Sequence, residues 1–123
     1  MNFRTDRKRA IGTGSGREGT HHHWQMMISS IALVFVVPLF VIVFGIGLGG
    51  SHEEVMAYLS KPFPAITLAI CLVVCIRHFM FEALEAIEDY VHGLAGRLAI
   101  FGTTAISYVL MAVALFAIAK IAL

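Results

Sequence analysis

The chain has 123 residues, room for one domain, and 59% of them are hydrophobic against 14% charged. Soluble domains run at roughly 45–50% apolar and about 25% charged. A formal net charge of +1 argues against a nucleic-acid-binding surface, which needs an excess of Lys and Arg clustered on a folded face. The composition is that of an all-α integral membrane protein.

The N-terminal tail, residues 1–25, is rich in Gly, Ser, Thr and Arg. It reads as an irregular segment that becomes ordered against a partner or lipid headgroups. The tripeptide His21-His22-His23 is a poor metal site because consecutive residues point to different faces. His22, His23 and Trp24 are better suited to the headgroup level, where an amphipathic indole is favoured.

Three apolar runs follow, each long enough to cross a bilayer core at about 1.5 Å per residue. They form a membrane domain over 26–123, with spans at about 26–48, 64–90 and 98–123. Pro38 lies inside the first and predicts a kink rather than a break, because membrane helices tolerate proline when neighbours re-satisfy the freed carbonyl. The run is too long for a signal peptide, and two more spans come after it. Gly45, Gly47, Gly49 and Gly50 at its end suit close helix packing or a flexible exit.

Between the first two spans, Ser51 and Glu54 have capping-box spacing. They predict a short interfacial helix closed by Lys61-Pro62-Phe63-Pro64. Cys71 and Cys75, one turn apart in the second span, read as small buried hydrophobes. Short connections make neighbouring spans antiparallel. Arg4, Arg7, Lys8, Arg9, Arg17 and Arg97 fall on one side, and only Lys61 and Lys120 on the other, which predicts a cytoplasmic N-terminus.

The second span carries a polar stripe. At about 100° per residue, His78, Glu82, Glu85 and Asp89 share one narrow face. Hydrocarbon rejects such a face, so it points at another helix, a cofactor or water. The third span offers only Thr103, Thr104, Ser107 and Tyr108, which predicts that a partner chain completes the stripe.

His78 lies roughly 16 Å along the axis from Asp89, well inside the bilayer. A neutral imidazole at that depth serves either as a hydrogen-bonded packing group or as an axial ligand of haem iron, with a second helix supplying the opposite histidine. Asp89-Tyr90 reaches the interface. It reads either as an aromatic-belt residue beside a solvated acid or as a quinone headgroup site, where a phenol donates to a carbonyl oxygen and a carboxylate relays protons.

Together these pieces resemble a known family. Gly16-Arg17-Glu18-Gly19, then His22 to Trp24, then His78 followed by Asp89-Tyr90-Val91-His92-Gly93, are similar to the D-type hydrophobic membrane anchor of succinate dehydrogenase, respiratory complex II. The resemblance covers most of the chain. It implies a multi-pass anchor in a bacterial inner membrane, itself without a succinate or flavin site. A flavoprotein subunit would oxidise succinate, and an iron–sulfur subunit would pass electrons to quinone. A second, C-type anchor would share haem b, with one axial histidine from each chain.

By the same resemblance, His78 matches the haem ligand. Tyr90 matches the tyrosine that hydrogen-bonds a quinone carbonyl, Asp89 the acid beside it, and Trp24 lies near the quinone entrance. Two positions depart from the family pattern. Met26-Met27 stand where an arginine is usual, and Glu82 stands where glycine is common, with Arg77 as a candidate partner for Glu82 or a propionate. Two other classes fit the composition: a small proton-coupled transporter using Glu82 and Glu85, and the anchor of a different haem b oxidoreductase.

Overall fold

The computed structural model describes residues 3–16 and 18–123; Arg17, counted above among the basic residues and in the Gly-Arg-x-Gly motif, lies outside them. The described residues form five helices and no strand: α1 (Asp6–Ile11), α2 (Glu18–Gly47), α3 (His52–Leu59), α4 (Pro62–Tyr90) and α5 (Gly93–Ala122). Three of them, α2, α4 and α5, are long and apolar enough to cross a membrane.

The tail is more ordered than its composition suggests. Thr5 caps α1 by accepting a hydrogen bond from the Lys8 amide at 3.2 Å, and Arg9 pairs with Asp6 at 3.6 Å. Short-range capping of this kind needs no hydrophobic core. Helix α2 then starts at Glu18, well before the apolar run at Met26, and α5 starts at Gly93, before the run at Leu98. Apolar periodicity marks where a helix enters lipid, whereas the helix itself continues until a residue breaks it. Glu18 in the first turn also suits the positive end of the helix dipole.

Helix α2 continues through Pro38 without interruption. At its far end the chain turns at Gly49, which holds φ +101°, a conformation open to glycine. Ser51 and Glu54 then form the expected capping box: the Ser51 side chain accepts from the Glu54 amide at 3.3 Å, and the Glu54 carboxylate accepts from the Ser51 amide at 2.9 Å. Tyr58 pins α3 back onto α2. Its hydroxyl donates to the Val43 carbonyl at 2.7 Å, and its ring occupies the space a Cβ on Gly47 would need.

Helix α4, opened by Pro62 at its N-terminus, is the central element. It packs against α2 on one side and α5 on the other, while α2 and α5 do not pack on each other. The core is therefore two thin seams. Met26, Val43, Pro64, Ala65, Thr67, Cys71 and Met80 are its buried side chains among the described residues, and no large side chain is fully enclosed. Cys71 and Cys75 are free thiols with sulfurs 3.8 Å apart, as small buried packing groups would be. Most of the outward surface of α2 and α5 is apolar, including Val34, Phe35, Phe101 and Phe116. That surface suits lipid, which replaces the hydrophobic effect with packing at the helix seams.

Candidate functional site

The polar stripe of α4 faces α2. His78, with a side chain only 12% exposed, places Nδ1 2.9 Å from the Ser29 hydroxyl of α2. Ser29 donates its own proton to the Met26 carbonyl at 2.8 Å. On the other side of the ring, Nε2 has no hydrogen bond. Its nearest acid is Glu82 Oε1 at 3.6 Å, beyond hydrogen-bonding reach. The Glu82 side chain is 56% exposed, so it borders the approach to Nε2 without being locked there.

Two helical turns beyond His78 toward the α4 C-terminus, His22 of α2 meets Glu85 at 3.1 Å. Its ring also stands edge-on to Phe81 at 5.4 Å. Arg77 lies over the same phenyl ring at 5.3 Å in a cation–π contact. It does not pair with Glu82, because five residues along a helix is about 140° of rotation and only three- and four-residue spacings face each other. Glu18, Gly19, His22, Glu85, Glu88 and Asp89 line an open, acidic depression where α2 begins and α4 ends.

The stripe is thus partly satisfied within the chain. The expectation that only the third span was available as an internal partner is corrected here. Thr104 and Ser107 of α5 bond the Ile100 and Thr103 carbonyls of their own helix, and the first span supplies the partners instead. The contacts of Ser29 and His22 with the stripe were not expected from the sequence, which carries only their spacing. They are seven residues apart, hence within about 20° on one face of α2, and Met26 between them is buried.

The other expected residues are not brought together by this chain. His78 and Asp89 share a face of α4 but are separated along it. Tyr90 ends the helix at 84% exposure and Trp24 is 56% exposed. Trp24 is two residues from His22, about 200° round the helix, and so lies on the face of α2 turned away from α4. Trp24, Asp89 and Tyr90 share no hydrogen bond or ring contact. No group of three His, Cys, Asp or Glu side chains among the described residues is arranged to hold a metal ion, so a metal here needs donors from elsewhere.

Fold and site define a class: a three-span membrane protein whose central helix carries one imidazole deep in a helix seam and a cluster of acids at one end. The family model for the succinate dehydrogenase/fumarate reductase transmembrane subunit matches residues 1–119, and the chain belongs to that family. It is 38% identical over 123 residues to the succinate dehydrogenase hydrophobic membrane anchor subunit of Paracoccus denitrificans, covering all of this chain and 95% of that protein. It is 30% identical over 90 residues to the protein of the same description from Rickettsia bellii (strain RML369-C), covering 72% of this chain and 71% of that one. No solved structure matches it.

Proposed function

We propose that this chain is one of two membrane anchors of a succinate:quinone oxidoreductase, in a bacterial inner membrane with its N-terminus in the cytoplasm. Its partners in that reading are a C-type anchor, an iron–sulfur subunit and a flavoprotein subunit. Its contributions are His78, as an axial ligand of a haem b shared with the second anchor, and Tyr90, Asp89 and Trp24, as its share of a quinone pocket. Helix α3 lies at the opposite membrane surface.

The observation that carries the haem reading is the state of His78. The donor chemistry fits: a neutral imidazole that holds its proton on one nitrogen would offer iron the lone pair of the other. His78 has Nδ1 engaged by Ser29 and Nε2 free of hydrogen bonds. When bound, haem supplies a one-electron carrier in the bilayer. This chain's part is to hold the imidazole in place within the α2–α4 seam.

At the interface, reduction of a quinone to a quinol takes up two electrons and two protons. The electrons come from succinate through the companion subunits. Tyr90, exposed at the α4 terminus, donates a hydrogen bond from its phenol to a quinone carbonyl oxygen. Asp89 lies in the water-accessible acidic depression and passes protons toward that oxygen. The exposure of Tyr90 and Trp24 in the lone chain accords with a pocket whose remaining walls belong to companion subunits.

Two substitutions test the two halves separately in the assembled complex. His78→Ala removes the reduced haem b spectrum; an unchanged spectrum rejects His78 as ligand. Tyr90→Phe leaves succinate-to-dye activity intact while succinate-to-quinone activity falls about 10²-fold or more, the scale of losing one positioned proton donor. Equal loss of both activities assigns Tyr90 to assembly instead.

A further inference from the structure

The Ser29 hydroxyl has one proton, and the Met26 carbonyl receives it at 2.8 Å. Only the oxygen lone pairs of Ser29 remain for His78 Nδ1, 2.9 Å away. A neutral imidazole carries a proton on one nitrogen and an acceptor lone pair on the other. Facing an acceptor, Nδ1 keeps the proton and Nε2 is left with its lone pair exposed. Resting on the haem reading above, we infer that Ser29 is the positioning residue for His78: by accepting the Nδ1 proton it fixes the tautomer and ring orientation that present Nε2 to iron.

The contact joins residues 49 positions apart on different helices, at a histidine only 12% exposed, so water competes poorly for Nδ1. No other polar side chain contacts that nitrogen. Ser30, the next residue, also donates to the Met26 carbonyl at 2.9 Å but is about 100° further round the helix and does not touch His78. A second partner on the non-ligating nitrogen of a metal-bound histidine raises the basicity of the ligating one. Removing it weakens metal binding and leaves the iron with less donated charge, which favours the ferrous form.

The test uses the assembled complex carrying Ser29→Ala, Ser29→Cys or Ser29→Thr, with His78→Ala as reference. Cysteine keeps the branching of serine with a slightly larger atom that is a weak acceptor, whereas threonine keeps the hydroxyl. Expected are a more positive haem midpoint potential, an altered ferric low-spin electron paramagnetic resonance signal and about 10–100-fold weaker haem retention in Ser29→Ala and Ser29→Cys, with parent values in Ser29→Thr. Should Ser29→Ala fail to assemble, Ser29→Cys carries the same expectation.

Parent potential and signal in the alanine and cysteine variants overturn the inference. So does failure of threonine to restore them, because a packing role would account for that pattern. If His78→Ala loses the haem while Ser29→Ala and Ser29→Cys keep parent values, only the role of Ser29 falls. Retention of the haem by His78→Ala removes the haem reading and this inference together.

Discussion

At the scale of single residues, Glu82 is the acid that borders the imidazole held in the α2–α4 seam. Its carboxylate lies 3.6 Å from His78 Nε2, the nitrogen that the haem proposal assigns to iron. With its side chain 56% exposed, Glu82 has room to turn outward, and its contact with His78 is not a strong constraint at that exposure. Glu82→Ala is therefore expected to retain at least the parent haem content, measured from the reduced spectrum of the purified complex. A loss of haem in that variant would mean that the carboxylate supports the site instead of bordering it. The neighbouring pair His22–Glu85 at 3.1 Å is half-exposed and contributes at most about 1 kcal/mol. Its clearer effect is to align the start of α2 with the end of α4.

At the scale of elements, two joints determine how α4 sits between its neighbours. On one side Tyr58 clasps α3 to α2 across Gly47. On the other, the α4–α5 turn folds so tightly that a Cβ on Gly96 would collide with the Val91 carbonyl, and backbone cannot step aside as a flexible side chain can. Gly96→Ala is expected to destabilise the isolated chain in detergent by about 1–3 kcal/mol, the usual cost of overpacking. Gly102→Ala, on the same helix with open space around it, is expected to leave stability unchanged or raise it slightly through better helix propensity. Thermal unfolding followed by circular dichroism separates the two. Equal effects would mean that the turn relaxes.

At the scale of the whole molecule, the two seams bury few side chains, and α2 and α5 do not close on each other. A three-helix row with one imidazole in a seam and an acidic cluster at one end is an incomplete object. It leaves Tyr90 and Trp24 exposed, and it needs a second donor if iron is held at His78. The expectation is that the chain expressed alone in bilayers binds no stoichiometric haem and self-associates, while co-expression with its companion subunits yields a monodisperse complex by size-exclusion chromatography in mild detergent. A stable, haem-free homo-oligomer with proton-coupled transport would instead favour the transporter class that Glu82 and Glu85 suggested.

The amino-acid sequence by itself determined the three spans, the capping box at Ser51, the polar stripe from His78 to Asp89 and the family. Each of these depends on composition, or on spacing along one segment, which local physical chemistry reads directly. The helices begin ahead of the apolar runs at Met26 and Leu98, because hydropathy reports lipid contact and helices outrun it. What only the tertiary structure decided was which face of the first span meets the stripe. Ser29 and His22 meet His78 and Glu85 through a packing angle between two helices, and nothing local to either segment encodes that angle. The same packing sets the Ser29 hydroxyl 2.9 Å from Nδ1 of His78 and gives Nε2 no hydrogen-bond partner among the described residues.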